Sequence, residues 1–353
     1  EKCINCHLCE KVCPILNNQA KNQQLPKAYS AFSLNRYIQD CSSSGGIFTE
    51  LALIVLSRKG IVIGASYDEN WKVRHIAVKQ SNQLYKLQGA KYSESYLGTI
   101  FVDVKHQLQN GKLVLFSGTP CQVAGLKSFL NKKYDNLLCI DFVCHGIPSP
   151  MAWKEYIENK KREFDSVPIK INQRSKCTGW SRYSYSCLIE YKNGIKHTEL
   201  NYNDLFMKLY CNDYISRESC SACAFKGYNR VSDITLGDFW GIWDLDSSMD
   251  NGNGTSIVLI HSKEGMELFS QIETHIKYKN VNLEDVSKEN SSLLYSSPQK
   301  NNREYVLNKI KKGEMNDLWN IFSSIPESSS ASLWKKSKRR ILRVIQRITN
   351  GGE

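Results

Sequence analysis

The stretch LVLFSGTPCQVAGLKSFL, Leu113 to Leu130, decides how the rest of the chain is read. It opens with an apolar run, Leu113-Val114-Leu115-Phe116. A tight corner follows, Ser117-Gly118-Thr119-Pro120, then Cys121, then apolar residues at helical spacing (Val123, Leu126, Leu130). This pattern predicts a buried strand, a sharp turn and the start of a helix. Cys121 then stands at the carboxyl end of a strand, the edge where open α/β sheets place their ligands. Read alone, Cys121 also fits a structural, half-buried thiol. Its neighbours along the chain bear on the choice.

Asn136 to Val143 reads as a second buried strand and ends in Cys144-His145-Gly146. If the two strands are parallel neighbours joined by a right-handed crossover, their carboxyl ends share one edge. Cys121 and Cys144 then face each other across it. Further on, Cys220-Ser221-Ala222-Cys223 forms a C-x2-C knuckle. It reads as half a metal site or as a dithiol, although a dithiol motif should open a helix in a small βαβ unit. Two more cysteines are needed to close a four-coordinate site, and Cys121 and Cys144 are the best candidates.

Upstream, Ser42-Ser43-Ser44-Gly45-Gly46 is a small-residue corner feeding a helix to about Arg58. Such corners let backbone amides approach a phosphate at a helix N-terminus, though most are simply caps. A strand pair is expected at Ile61 to Tyr67 and Val73 to Lys79. A turn carrying a cation and an aromatic, Gln88 to Tyr92, and a helix from Tyr96 to Leu108 follow. Downstream, Pro150 to Phe164 reads as a surface helix. Residues 168 to 200 alternate like a hairpin-rich sheet, with Cys177 and Cys187 as packing residues. Asn203 caps a short helix to Tyr210. A strand at Ser256 to His261 and a helix at Glu264 to Ile272 close the core.

The 353 residues are 41% hydrophobic and 23% charged, ordinary values for a globular protein with a sizeable core. No apolar run approaches the ~18 residues of a membrane span. Thirteen cysteines accompany this core and cluster at short spacings. That favours metal or cluster ligation in a reducing, cytoplasmic compartment over a disulfide framework. The net charge of +12 is uneven: seven bases and one acid lie between Leu333 and Glu353, so the body is only mildly basic and gives little support to nucleic-acid binding. A zinc-binding nucleic-acid module would also leave the N-terminal motif unexplained. Beyond a Ser-rich linker, the tail helix sets Trp334, Ile341, Val344, Ile345 and Ile348 on one face. Residues 333 to 348 could thus lie peripherally on the inner membrane face or on a partner, or pack back on the body.

Residues 1 to 14, EKCINCHLCEKVCP, place Cys3, Cys6, Cys9 and Cys13 in the bacterial ferredoxin run C-x2-C-x2-C-x3-C-P. In two-cluster ferredoxins the fourth cysteine serves the other cluster. Either Cys13 completes a single cluster here, or its partner run lies upstream of Glu1. Residues 15 to 28 read as a polar linker.

Together these motifs resemble the coenzyme F420 hydrogenase/dehydrogenase beta subunits, a family of flavin-containing iron-sulfur proteins. The resemblance rests on Ser43 to Gly46, Gly89 to Tyr92, Gly118 to Gln122, Cys144 to Gly146, Cys220 with Cys223, and Asp233 to Gly241, in the family's order over the chain to about residue 300. It implies that Cys121, Cys144, Cys220 and Cys223 hold a [4Fe-4S] cluster. It also places FAD against Ser43, Ser44, Gly45, Gly46, Lys91, Gly118, Thr119, Pro120 and Gln122. The N-terminal run is similar to the family's bacterial branch, whose members often carry two runs, so truncation is expected. Cys41 has no matching role.

The expected fold is α+β with an α/β core: an N-terminal ferredoxin-like cluster segment, then a mixed sheet with helices on both faces. The expected parts are 1–28 (ferredoxin-type segment and linker), 29–165 and 166–322 (the two parts of the flavin and cluster core), and 323–353 (linker and basic amphipathic helix). The expected activity is that of an FAD-dependent iron-sulfur oxidoreductase. Electrons would pass from a ferredoxin or another redox protein through the 4Fe-4S clusters to FAD and on to an organic acceptor, with His145, Lys91 and Tyr92 as candidate proton donors. The alternative is a non-catalytic electron-transfer subunit of a larger redox complex.

Overall fold

The computed structural model describes residues 3–16 and 24–322. Eleven strands are found among them: β1 (Lys27–Ser33), β2 (Ile61–Tyr67), β3 (Val73–Val78), β4 (Val114–Ser117), β5 (Leu137–Phe142), β6 (Pro168–Ser175), β7 (Ser186–Tyr191), β8 (Lys196–Leu200), β9 (Ile234–Asp238), β10 (Ser256–Ile260) and β11 (Ile276–Asn280). Eight form one mixed sheet in the order β11-β1-β10-β9-β5-β4-β2-β3. The centre, β9-β5-β4-β2, is parallel, and its flanks are antiparallel. A separate antiparallel sheet has the order β6-β7-β8.

The period of two in these strands distributes the core to both faces. After the short helices α1 (Leu8–Lys11) and α2 (Arg36–Cys41) comes α3 (Ile47–Ser57); Val62, Leu115 and Ile140 point to one face and pack with α3, whose Ile47, Leu51 and Val55 are buried there. Ile63, Val114, Phe116 and Cys139 point to the other, against α4 (Ile100–Gln109) and α5 (Pro120–Leu130). The central run Val114-Leu115-Phe116 is wholly buried, as a strand covered on both faces must be. The expected mixed sheet with helices on both faces is therefore observed. A further core joins α6 (Pro150–Phe164) and α7 (Leu205–Cys211) to the small sheet through Trp153, Tyr156, Ile189, Tyr191 and Phe206.

Several local expectations change. Residues 15 to 28 are not all linker: β1 starts at Lys27, and Ala28 is already in the core. Residues 17 to 23 lie outside the described residues. α4 starts at Ile100, not Tyr96, because Tyr96 is taken by β3: its N–H donates to the Val73 carbonyl at 2.9 Å and its carbonyl accepts from His75 at 3.0 Å. The cap of α7 is Asp204, whose carboxylate accepts from the Met207 N–H at 2.8 Å; Asn203 lies one residue too early. Cys187 is buried as expected, but Cys177 is exposed in the turn after β6. The strands β1, β9 and β11 and the short helix Arg36–Cys41 carry no clear signal in the sequence. The expected linker and tail helix, 323–353, lie outside the described residues.

Candidate functional site

The turn between β4 and α5 is built as a reciprocal cap. The Thr119 hydroxyl accepts from the Gln122 N–H at 3.4 Å, and the Gln122 side-chain carbonyl oxygen accepts from the Thr119 N–H at 3.0 Å. Pro120 takes the first helical position, where its missing N–H costs nothing. Cys121 is thereby fixed at the first turn of α5, with its sulfur 3.0 Å from the Thr119 hydroxyl. β5 runs parallel beside β4 and leads into Cys144-His145-Gly146. The Cys220 knuckle docks on that loop: the Ile147 N–H donates to the Cys220 sulfur at 3.4 Å, and the Arg217 N–H to the Ile147 carbonyl at 2.7 Å. The Cys223 N–H is held by the Ser296 hydroxyl at 3.0 Å.

Electrostatics tie the four thiols together. Burial pushes Cys144 up to about 12, and Cys121, Cys220 and Cys223 push in the same direction. Burial also raises Cys121, and Cys223 and Cys220 add to it against the Thr119 hydroxyl. Cys121 opens onto a cavity, yet enough protein surrounds it to disfavour its thiolate. Thiols that penalise one another's ionisation suit a group whose positive charge compensates four thiolates. Among the described residues, no three His, Cys, Asp or Glu side chains close on a single metal ion. Lys226 supplies a cation here: its Nζ donates to the carbonyls of Cys144 (2.5 Å) and Ser292 (2.8 Å).

The cavity has a volume of about 1320 Å³, beyond the ~300–1,000 Å³ of ordinary ligand sites. Ser43, Ser44, Gly46, Lys91, Gly118, Thr119 and Gln122 line it, as do Cys121 and Cys144. Gly45 and Pro120 do not. Pro120 is buried under the cap, and Gly45 packs on β1, where a Cβ would stand 2.6 Å from the Ala31 carbonyl oxygen. Gly46 caps α3 at φ 89°, a left-handed conformation that glycine adopts without strain. These small residues beside the N-terminus of α3 fit a dinucleotide with a phosphate bridge.

The three candidate proton donors reach the same cavity. Burial lowers Lys91 to about 7, with its Nζ donating to the carbonyls of Gln88 (2.7 Å) and Gly89 (3.2 Å). Burial pushes the Tyr92 phenol up to about 12. His145 Nε2 lies 2.7 Å from Asp213 Oδ1, and its Nδ1 is 3.2 Å from the Ser292 hydroxyl. Sequence reasoning misses Arg174, Asp213, Tyr185 and Tyr210, and gives Asp238 and Trp240 no role; no spacing along the chain marks them.

The N-terminal cysteines form an exposed segment: Cys3, Cys6 and Cys9 are exposed and Cys13 is half-buried. The Cys3 thiol donates to the side chain of its neighbour Asn5 at 3.4 Å. Pro14 and Ile15 abut the core across a cavity of about 40 Å³ shared with Pro120, Ala124, Ala224 and Phe225. The run therefore ends beside the residues that precede Cys121 and follow Cys223.

Comparison with curated proteins finds no match. Among solved structures, the fold is similar to a chain of the F420-reducing [NiFe] hydrogenase complex from Methanosarcina barkeri. That likeness has a TM-score of 0.51 at 18% identity and covers 82% of this chain and 95% of the other. Residues 111–287, just over half of the chain, match the family model that describes the C terminus of the coenzyme F420 hydrogenase/dehydrogenase beta subunit. The chain therefore belongs to the coenzyme F420 hydrogenase/dehydrogenase beta subunit family and is a redox protein of that kind.

Proposed function

We propose that this protein is an iron-sulfur flavoprotein oxidoreductase, with a 4Fe-4S cluster at the N-terminal run, a second in the core, and FAD in the large cavity. The observation that carries this reading is the proximity of Cys121, Cys144, Cys220 and Cys223, whose thiols raise one another's pKa, with Cys121 and Cys144 lining the 1320 Å³ cavity. When bound, the clusters move single electrons, and the flavin exchanges them for the pair that an organic acceptor takes as a hydride.

The chain's own residues position and protect. The Thr119–Gln122 cap orients Cys121 and turns Gly118 toward the cavity, so one turn of backbone fixes the spacing of the two cofactor sites. The Ser43 to Gly46 corner at the N-terminus of α3 receives the phosphates. Lys91, held near neutrality by burial, can give up or take a proton at Nζ around pH 7. Tyr92 stays protonated at that pH and can only donate. The exposed cysteine run would hold the cluster that exchanges electrons with a ferredoxin or another redox protein, and its end, Pro14–Ile15, abuts the core at Pro120, next to Cys121. A cavity of this size, rather than a flat rim, favours an enzyme acting on an organic acceptor over a subunit that only relays electrons. The reducing cytoplasm, or the inner membrane face through residues 333–348, is the setting consistent with free thiols.

The test is anaerobic purification or reconstitution with iron, sulfide and FAD, followed by metal and flavin counting. About four irons per cluster and a flavin spectrum bleached by reductant are expected. Stoichiometric zinc with neither iron nor flavin would sink the reading.

A further inference from the structure

The cap between β4 and α5 uses only part of the Thr119 hydroxyl. Thr119 is 4% exposed, so its O–H finds little water and needs an acceptor within the protein. The oxygen accepts from the Gln122 N–H at 3.4 Å. That contact occupies a lone pair and leaves the hydrogen to be donated elsewhere. The atom it meets is the Cys121 sulfur, 3.0 Å away. Between a hydroxyl and a protonated thiol, either partner can donate. Once Cys121 is deprotonated, as a metal-ligating cysteine is, only Thr119 carries a hydrogen, and the bond runs from hydroxyl to sulfur.

The donor is held in this position by its surroundings. The Gln122 side chain braces the turn from both ends: its oxygen accepts from the Thr119 N–H at 3.0 Å, and its nitrogen donates to the Ser95 carbonyl at 3.3 Å. His75 Nε2 lies 3.0 Å from the Ser117 carbonyl at the start of the turn. Pro120 follows Thr119 at the first helical position and restricts its backbone. A donor fixed in advance needs no reorganisation when the charge on its acceptor changes. A backbone donor reaches a second sulfur of the set, from the Ile147 N–H to Cys220 at 3.4 Å. Thr119 is the one of these two donors that a side-chain substitution can remove.

Hydrogen bonds to ligating sulfurs set the potential of an iron-sulfur cluster. They stabilise the more negative, reduced state more than the oxidised one, because the added charge spreads onto the sulfurs and a hydrogen bond strengthens with the charge of its acceptor. The Thr119 hydroxyl therefore acts in the direction of a higher potential.

We propose that the Thr119 hydroxyl raises the reduction potential of the core cluster by donating to the Cys121 sulfur, beyond its service as the cap of α5. The inference rests on the reading of Cys121 as a cluster ligand. The experiment reconstitutes the full chain anaerobically with iron and sulfide and follows a reductive titration by electron paramagnetic resonance. The core signal is the one that Cys121→Ser lacks. Thr119→Val keeps the shape of the side chain and removes the O–H. Its core cluster should be about tenfold harder to reduce, a fall of about 59 mV for one electron, with the N-terminal signal unmoved. Thr119→Ser restores the hydroxyl and should restore the potential. Thr119→Gly caps a helix about as well as threonine but has no hydroxyl, so it should show the same fall as Thr119→Val, whereas a residue that only caps would leave the potential unchanged. In deuterium oxide, electron-nuclear double resonance of the core signal should show one exchangeable deuteron fewer in Thr119→Val and Thr119→Gly than in the wild type and Thr119→Ser. Full core iron with an unchanged potential in Thr119→Val or Thr119→Gly, or an unchanged deuteron count, overturns the proposal. A wild type whose iron count lacks the core cluster refutes the ligand reading instead, a failure that the count alone tells apart.

Discussion

Acid should loosen the site through His75, by an amount that can be worked out. The ring lies on β3, stacked on Phe116 with centres 5.3 Å apart. Its Nδ1 is 2.7 Å from the Ser95 hydroxyl, and its Nε2 is 3.0 Å from the carbonyl of Ser117, in the turn that presents Cys121. A neutral imidazole satisfies both: Nε2–H donates to the carbonyl, and Nδ1 accepts from the hydroxyl. Burial lowers its pKa to about 4, against a smaller upward pull from the Ser117 carbonyl. The ordinary value is about 6.5, so between pH 6.5 and 4 the unfolded chain binds a proton that the folded chain refuses. Stability therefore falls as pH drops through that window. Integrating from pH 7 to pH 5 gives a loss of about 2 kcal/mol from this residue. His75→Gln keeps an amide donor for Ser117 but does not titrate. Urea unfolding of both proteins at pH 7 and pH 5 should show the wild type losing about 2 kcal/mol more than the variant. An equal acid loss in the two proteins would refute the assignment of His75 as a buried neutral ring.

Three further outcomes are expected. Cys121→Ser should lower the iron content by about four per chain while the N-terminal cluster remains, as read by iron assay and electron paramagnetic resonance; loss of all iron would show that the two sites are not independent. Asp141→Ala should destabilise the fold by roughly 3–5 kcal/mol, because it strands the fully buried Arg230 charge 3.4 Å away. The double variant Asp141→Ala/Arg230→Met should recover most of that loss in denaturant unfolding, and simple additivity would exclude the pair. Gly254→Ala, where φ is 100° and a Cβ would stand 2.5 Å from the Trp180 indole nitrogen, should cost on the order of 1–3 kcal/mol in backbone strain and displace Trp180, read as a lower melting temperature with altered near-ultraviolet circular dichroism; an unchanged aromatic spectrum would count against the packing of Trp180 between Gly254 and Arg174.

The local grammar of the chain is legible wherever the physics is local. Leu113 to Leu130 shows strand, turn and helix through its apolar run, the Ser-Gly-Thr-Pro corner and the helical spacing of Val123, Leu126 and Leu130, all within a few residues; the reciprocal Thr119–Gln122 cap is seen in the structure. Cys121 and Cys144 can be set on one edge because parallel neighbours share their carboxyl ends, and β4 and β5 pair in parallel. Errors arise where tertiary pairing overrides local preference. Tyr96 reads as helix but is claimed by β3, and Lys27 and Ala28 look like linker but are paired by β10.

What the sequence by itself determined is the cysteine inventory, the corner chemistry and the family resemblance, since each depends on residue type at fixed spacing. Only the tertiary structure decided which corners share a cavity, that Gly45 and Pro120 face away from it, and that Arg174 meets Asp238 from 64 residues away. No spacing rule links those two positions. Their meeting depends on β6 and β9 belonging to different sheets that close on the same cavity.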